Sequence, residues 1–207
     1  KRIISHNAAY DITLPQPTKG NHNAIVHEKE LAELLEKMWR YKTDFPRARV
    51  QSGLALKLSV YIFQRPNEIR GLLWESVNFE KSELNFIASK THQKHNVPLS
   101  RQAYDILKQL ETLRTNSKYV FPIAKGGADD CMSEGTIGEA LKRIGYRGKH
   151  TAHGFRATAK TILKEEIEFN QDAVEHQLAH RVKDSNGTAY DRTSFLRQRR
   201  ELMQKWS

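Results

Sequence analysis

One block of the sequence changes its hydrophobic period, and this change limits the fold more than any other feature. In residues 76–99 apolar and polar positions alternate around polar breaks, which is the period-two pattern of half-buried strands. On both sides of the block, apolar residues recur three or four positions apart, as on one face of a helix. The sequence therefore predicts an α+β, mainly α-helical fold with a small antiparallel sheet of about three strands.

Three helices are predicted ahead of the sheet. From His27, apolar residues follow one helical face opposite a row of glutamates, which indicates an amphipathic surface helix. Pro46 can open the second helix at its first turn. Pro66 ends it, because the residue before a proline is pushed out of the α region, so Arg65 is expected in a bend before a short further helix. The second helix is predicted to be central to the core through Val50, Leu54, Ala55, Leu58 and Ile62.

Further helices are predicted after the sheet. Ser100 is expected to cap one helix, Ser133 to open the next, and Thr151 to be the N-cap of a third. Between the first two, residues 119–122 are predicted to be extended and residues 125–130 to form a loop. The chain closes on a basic amphipathic tail whose apolar positions are Phe195, Leu196, Leu202, Met203 and Trp206.

The charge balance favours a long polyanion as the partner. The chain has 207 residues, enough for one main core, and its 34 Lys and Arg against 24 Asp and Glu give a net charge of +10. The basic residues are spread along the whole chain, which suits a polyanion better than a small acidic substrate. A soluble basic protein without such a partner is the alternative reading of charge alone.

Cysteine content and hydropathy exclude several classes of protein. The single cysteine, Cys131, excludes an intrachain disulfide and any multi-cysteine metal site, and a reducing cytoplasm is the default. No apolar run approaches the roughly 20 residues of a membrane span, and no leader opens the chain. Residues 1–20 are polar and end in a Pro-rich stretch, which predicts a linker left from upstream domains.

The segment from His150 to Tyr190 contains the parts of a phosphate site. His153 and Arg156 are three positions apart and would share one face of a helix. With Thr151 as N-cap, the first turn of that helix would leave backbone N–H groups that favour an anion. A guanidinium, an imidazole and a helix N-terminus are thus predicted to face one negatively charged oxygen.

Each of these residues also has an ordinary explanation. Arg156 could be a solvated helix arginine, His153 and His180 could be core histidines, and Tyr190 is one of seven tyrosines. His176 and His180 are spaced to bind zinc from one helix face, but the glutamate of the zinc-protease motif is missing. No metal site is therefore expected. The chain also lacks a phosphate-binding GxxxxGK[ST] loop and a G-x-S-x-G nucleophile turn.

The order of five short elements carries more information than any one of them. The elements are Gln64-Arg65-Pro66 with Glu68, Ser89-Lys90, His153-Gly154-Phe155-Arg156, Gln177-Leu178-Ala179-His180 and Ala189-Tyr190. Together they resemble the catalytic domain of the tyrosine recombinases, the phage integrase family, and most closely the integrases of prophages and genomic islands. The resemblance covers nearly the whole chain.

The resemblance implies a nucleophile and a phosphate clamp. In this family a tyrosine attacks a DNA phosphodiester, forming a 3′-phosphotyrosyl link and freeing a 5′-hydroxyl, and Tyr190 matches that tyrosine. Arg65 and Arg156 match the two arginines that bind the non-bridging oxygens, whose charge grows in the transition state. A phenol is almost fully protonated at neutral pH, so a nearby cationic cluster would also favour its ionised, nucleophilic form.

The remaining site residues are also assigned by resemblance. Lys90 matches the lysine that protonates the leaving 5′-oxygen, although Lys94 is close enough to compete with it. His153 matches the residue that assists proton transfer at the nucleophile, and His180 matches the one that hydrogen-bonds the scissile phosphate. Glu68 matches an acidic position that supports the site. No metal or other cofactor is implied.

The resemblance further predicts domains, partners and location. Residues 1–20 would be a linker remnant from an upstream DNA-binding domain, and residues 21–207 the catalytic domain. The partners would be double-stranded DNA attachment sites, bound by a tetramer of protomers that are monomers alone, in the bacterial cytoplasm in association with the nucleoid. The function implied is that of a site-specific DNA recombinase that integrates or excises a mobile element. A type IB topoisomerase-like relaxing enzyme and a non-catalytic DNA-binding module are the alternatives. Whether Tyr190 acts in its own site or in a neighbour's is open.

Overall fold

The computed structural model describes residues 23–124, 130–180 and 195–207. The predicted linker in residues 1–20, most of the predicted loop from 125 to 130, and Tyr190 lie outside the described residues. The described helices are α1 (Glu28–Trp39), α2 (Tyr41–Asp44), α3 (Val50–Ile62), α4 (Pro66–Arg70), α5 (Arg101–Thr112), α6 (Thr136–Arg143), α7 (Gly154–Glu165), α8 (Gln171–Gln177) and α9 (Leu196–Trp206). A 3₁₀ turn (Trp74–Ser76) precedes the strands β1 (Val77–Asn78), β2 (Glu83–Ile87) and β3 (Lys94–Pro98).

The three strands form one antiparallel sheet in the order β1-β2-β3, which confirms the predicted sheet. Leu84 lies opposite Val97, and both are fully buried, whereas Ile87 lies opposite Lys94 and is 56% exposed. The sheet therefore has one face toward the core and one toward solvent, as the alternating sequence predicts.

Helix α3 is the centre of the core, also as predicted. It is buried on all sides because α1, α2, α4, α5, α6 and α9 all contact it. The carboxyl-terminal helix α9 reaches it at Trp206, whose indole Nε1 donates to the carbonyl of Val60 at 2.8 Å. The buried residues of α3 are Gly53, Leu54, Ala55, Leu56, Leu58, Ser59, Val60, Tyr61 and Ile62.

The predicted start of α3 at Pro46 is wrong. Pro46 lies in a turn after the short helix α2, and α3 begins at Val50. Lys42 explains the difference, because its ammonium donates to the carbonyls of Pro46 at 2.5 Å and Ala48 at 2.8 Å. These bonds satisfy turn carbonyls that a helix would otherwise have to pair.

The other predicted helix starts differ less. Ser100 caps α5 as expected, since its hydroxyl accepts from the amide of Ala103 at 3.2 Å. Ser133 lies one turn ahead of α6, which begins only at Thr136, and its hydroxyl bonds that of Thr136 at 2.9 Å. Among the described residues, no helix is long and apolar enough to cross a membrane.

Candidate active site

Arg65 lies in the bend between α3 and α4. Phe63 ends α3 in the left-handed conformation, with φ of 37°, and Arg65 is extended before Pro66, the first residue of α4. Glu68 holds this bend through both oxygens: Oε2 accepts from the backbone amide of Arg65 at 2.9 Å, and Oε1 accepts from its guanidinium at 3.0 Å. The side chains of Arg65 and Glu68 are only 12% and 3% exposed, so this ion pair is largely shielded from solvent.

Glu68 also joins this bend to the turn between β2 and β3. Its Oε1 accepts from the backbone amide and from the hydroxyl of Ser89, both at 3.1 Å. Burial raises the pKa of Glu68, but the bonds from Arg65 and Ser89 outweigh it, and the pKa lies below the usual glutamate value. Glu68 is therefore an anion that ties the Arg65 bend to the residue preceding Lys90.

The structure separates the two candidate lysines. Lys90 lies in the exposed turn closed by hydrogen bonds between Ala88 and residues 92 and 93. Lys94, which the sequence placed close enough to compete with Lys90, is the first residue of β3 and is paired with Ile87. It lines a groove of about 730 Å³ together with Glu68 and Ser89. Lys94 thus lines the same groove as Glu68, whereas Lys90 follows Ser89, the residue that Glu68 bonds.

The start of α7 differs from the predicted anion site. His153, not Thr151, is the N-cap of α7, so the predicted cap is wrong, and no side chain caps the helix. The hydroxyl of Thr151 accepts from the amide of Gly154 at 3.0 Å, and the amide of Arg156 bonds the carbonyl of His153 at 3.2 Å. The carbonyl of Asn23 packs so closely that a Cβ on Gly154 would lie 2.5 Å from it. The amides of Gly154 and Arg156 are therefore used within the protein and are not available to an anion.

Arg156 is buried between two helix ends. It is 4% exposed, and its Nη1 donates to the carbonyl of Phe63 at 3.0 Å while Nη2 donates to that of Leu178 at 2.6 Å. These carbonyls terminate α3 and α8, where the helix dipoles favour a cation. Burial, and then the nearby charge of Arg65, lower the pKa of Arg156 to about 10, so it remains charged at neutral pH.

His180 contacts Arg156 from the end of α8. Its Nε2 lies 3.3 Å from Nη2 of Arg156, and its Nδ1 lies 2.5 Å from Oε2 of Glu175. Glu175 is bonded through Oε1 to Lys160 on α7 at 2.6 Å. The side chain of His180 is 40% exposed, so a ligand can reach the imidazole from solvent.

Most of the predicted site residues converge. Glu68 bonds Arg65, the charge of Arg65 acts on Arg156, and Arg156 contacts His180. His153 is half-buried and directly precedes α7, one turn ahead of Arg156. Two guanidinium groups beside an imidazole can bind the oxygens of one phosphate through charge-assisted hydrogen bonds. Tyr190 lies outside the described residues.

Comparisons with known proteins show the family of this chain. Residues 25–196 match the model of the phage integrase family. The chain belongs to this family. Relatives include the integrase of Enterobacteria phage P4, 33% identical over 99% of this chain and 49% of that protein. Prophage integrase IntZ of Escherichia coli K12 is 33% identical over 99% of this chain and 50% of that protein. The chain thus spans about half the length of the relatives it matches.

Solved structures of phage integrases share the fold. The integrase of mycobacterium phage Brujita aligns with a TM-score of 0.65 over 93% of this chain and 60% of that chain, at 17% identity. A lambda integrase dimer bound to a core site aligns with a TM-score of 0.59 over 80% of this chain and 60% of that chain, also at 17% identity.

Behind the site of this family member lies a buried polar network that the sequence did not predict. Gln64 donates to the carbonyl of Gln177 at 2.8 Å, and His95 contacts the same carbonyl through Nε2 at 3.2 Å. The side-chain oxygen of Gln177 accepts twice from Arg199 on α9, at 2.9 Å and 2.8 Å. Arg199 also bonds the carbonyl of Asn96 on β3. No pattern in the sequence indicated this network, although Gln64 is part of the motif that contains Arg65.

Proposed function

We propose that this chain is the catalytic domain of a site-specific DNA recombinase that integrates or excises a mobile element. The supporting observation is the convergence of Arg65 and Arg156, which are distant in the sequence: Arg156 donates at 3.0 Å to the carbonyl of Phe63, two residues before Arg65. Glu68 links Arg65 to the turn that carries Lys90. Such preorganised cations stabilise a phosphate whose negative charge increases in the transition state.

The proposed reaction is an exchange of phosphodiester bonds. The phenolic oxygen of Tyr190 forms a bond to the scissile phosphorus while the bond to the 5′-oxygen breaks. Arg65 and Arg156 bind the non-bridging oxygens, and Lys90 donates a proton to the leaving 5′-oxygen. A hydroxyl from another strand then reverses these steps. Because one phosphodiester replaces another, the cycle needs no nucleotide hydrolysis.

His153 and His180 complete the proposed proton transfers and phosphate contacts. His153 precedes α7 one turn from Arg156, from which position it assists removal of the proton of Tyr190. His180 hydrogen-bonds the scissile phosphate beside Arg156, which it already contacts. General acid–base assistance of this kind contributes typically about 10²–10⁴-fold to rate.

The proposed partner is a double-stranded DNA attachment site, bound by several protomers. Related folds support this proposal: a lambda integrase tetramer is bound to a Holliday junction, and the XerH recombinase is bound to its difH substrate. We propose the same kind of assembly here, a tetramer on DNA formed from monomers. A protein that acts on such sites would work with the bacterial chromosome, in the nucleoid.

Covalent trapping tests the proposal directly. The chain is incubated, with a metal chelator present, with nicked duplexes that carry candidate attachment sites and lose the leaving fragment after cleavage. The wild-type chain is expected to form a protein–DNA adduct, and Tyr190→Phe is expected to bind DNA without forming one. Tyr119→Phe, which changes a half-buried tyrosine outside the predicted site, serves as the control. An undiminished adduct with Tyr190→Phe would falsify the assigned nucleophile.

A substrate with a sulfur leaving atom distinguishes the two candidate lysines. Lys90→Ala is expected to slow adduct formation on normal DNA by about 10²–10⁴-fold, since a poor leaving group then lacks its acid. A thiolate leaves without protonation, so a 5′-bridging sulfur should restore the rate of Lys90→Ala. If only Lys94→Ala is restored by sulfur, the proton comes from β3 and not from the turn.

Strand exchange separates recombination from simple relaxation. The relatives at 33% identity are named integrases, which favours recombination over a topoisomerase-like role. We expect cleaved strands to join a second duplex that carries a matching site. Relaxation of supercoiled DNA without any joined product would support the alternative.

A further inference from the structure

Glu175 on α8 has no assigned part in the proposed reaction, yet both of its carboxylate oxygens are bonded. Oε1 lies 2.6 Å from Nζ of Lys160, and Oε2 lies 2.5 Å from Nδ1 of His180. Burial raises the pKa of Glu175, but the bonds to Lys160 and His180 outweigh it and bring the pKa below the usual glutamate value. Glu175 is therefore a half-buried anion in direct contact with the imidazole.

The two neighbours of His180 select one tautomer. An ionised carboxylate can only accept, so the proton between Glu175 and His180 belongs to Nδ1. A guanidinium can only donate, so Nε2 of His180 accepts from Arg156 on the opposite side of the ring. Both contacts are satisfied by the neutral imidazole protonated on Nδ1.

The charges around His180 are consistent with a neutral ring in the free protein. Burial lowers the pKa of His180, and the positive charges of Arg156 and Lys160 lower it further. Glu175 acts in the opposite direction, but the pKa remains below the usual histidine value. A ligand that adds negative charge beside Nε2 will raise the pKa of His180.

We propose that Glu175 is a positioning residue that couples binding of the scissile phosphate to uptake of one proton by His180. This inference rests on the proposed function. A phosphate oxygen beside Arg156 and His180 presents a lone pair to Nε2, which carries a lone pair of its own in the free protein. A hydrogen bond there needs a second proton on the ring, because Nδ1 keeps its proton in the bond to Glu175. That proton comes from solvent. Nε2 then no longer accepts from Arg156, whose Nη2 donates to the phosphate oxygen instead, and the imidazolium lies between two anions.

The coupling predicts how adduct formation depends on pH. The imidazolium is lost as the pH rises through the pKa of His180 in the DNA complex, so the rate should fall along an alkaline limb. Glu175 raises this pKa, and replacing the carboxylate by an amide should move the limb to lower pH by about one unit. A residue that acts only on stability would lower the rate at every pH alike.

Nuclear magnetic resonance on the free chain tests the tautomer without any cleavage. The side-chain nitrogen shifts of His180 should show a protonated Nδ1 and an unprotonated Nε2 at neutral pH. Added inorganic phosphate, as the probe, should raise the pKa of His180 in the wild type and raise it less in Glu175→Gln. A ring protonated on Nε2 in the free wild type, or a pKa that phosphate leaves unchanged, overturns the proposal.

The pH profile of adduct formation is the second test. Glu175→Gln should approach the wild-type rate at acidic pH and lose about tenfold at alkaline pH, as a one-unit shift requires. Glu175→Asp keeps the charge and should stay closer to the wild-type profile, and Glu165→Gln, at an exposed position of α7, should match it. A uniform loss across the pH range would contradict the coupling. Failure of the wild type to form an adduct would instead contradict the proposed function and leave the resonance result standing.

Discussion

Arg156 lies where two helices end, and this position explains how a cation is tolerated in the interior. The carbonyls of Phe63 and Leu178 belong to the last turns of α3 and α8, whose terminal carbonyls lack partners within the helix. The guanidinium satisfies both at once, and both helix dipoles favour its charge. The same side chain therefore holds the ends of α3 and α8 together, and in the proposed function it also contributes positive charge to the phosphate site.

Replacing Arg156 by lysine should cost stability although the charge is kept. A single ammonium cannot donate to two carbonyls in the geometry of the planar fork, so one buried carbonyl loses its partner. We expect Arg156→Lys to lower the free energy of unfolding by about 1–3 kcal/mol, measured by urea denaturation. Arg197→Lys on α9, where the side chain is 92% exposed, should change it little. Equal effects at both positions would contradict the assigned role of the carbonyl pair.

Buried histidines should make the fold sensitive to mild acid. Burial lowers the pKa of His95 to about 3 and that of His150 to about 4. Between about pH 6.5 and pH 4.5 the unfolded chain binds protons on these rings that the folded chain excludes, so stability falls as the pH falls. Each histidine contributes a slope of up to about 1.4 kcal/mol per pH unit.

Unfolding measurements across this window test the assignment. His95→Gln should reduce the acid slope, because one ring that excludes a proton in the folded chain is then gone, while His150 and His180, whose pKa values are also lowered, keep the remainder. His27→Gln changes an exposed histidine and should keep the wild-type slope. An unchanged slope in His95→Gln would show that other groups control the acid response.

At the scale of the elements, the sequence was most informative where burial repeats with a regular period. The sheet and α3 were predictable because alternation and helical spacing record which side chains face the core. Helix α2 was not, because four residues are too few to show a period. Pro46 misled the reading of α3, since proline suits a turn as well as a first helical turn.

The sequence motifs named four residues that the structure brings together, but not the residues that support them. The four are Arg65, Glu68, Arg156 and His180. Glu175 and Arg199 were missed, since a charged residue on a helix is usually solvated and a sequence does not show which one is buried. Their bonds depend on contacts between α8, α7 and α9 that no local pattern predicts.

Helix α9 should detach if its buried arginine is removed. Arg199 is 2% exposed and holds α9 to Gln177 on α8 and to the backbone of Asn96 on β3. In Arg199→Met, buried acceptors lose a charged donor, which costs about 1–3 kcal/mol per unsatisfied group. Hydrogen exchange should therefore accelerate in α9 while α5 stays protected. Arg197→Met on the exposed face of α9 is the matched control, and equal exchange in both variants would refute the anchoring role.

At the scale of the whole molecule, DNA affinity should depend steeply on salt. The net charge of +10 indicates that backbone phosphates supply most of the binding energy, through release of counterions. We expect the binding constant to fall by about 10³-fold or more between about 50 mM and about 200 mM salt, measured by fluorescence anisotropy. Tyr190→Phe should keep the same dependence, because the phenol carries no positive charge. An affinity that salt does not change would contradict a backbone-dominated interface.

Helix α9 covers the edge strand β3 of the sheet. Strand β3 lies at one edge of the sheet, and Arg199 donates a hydrogen bond to the carbonyl of Asn96 on this strand. An uncovered strand of this kind recruits strands from other molecules and leads to aggregation. Shortened versions of the chain that lack residues 195–207 should therefore expose this strand and aggregate, which light scattering from concentrated solutions would detect.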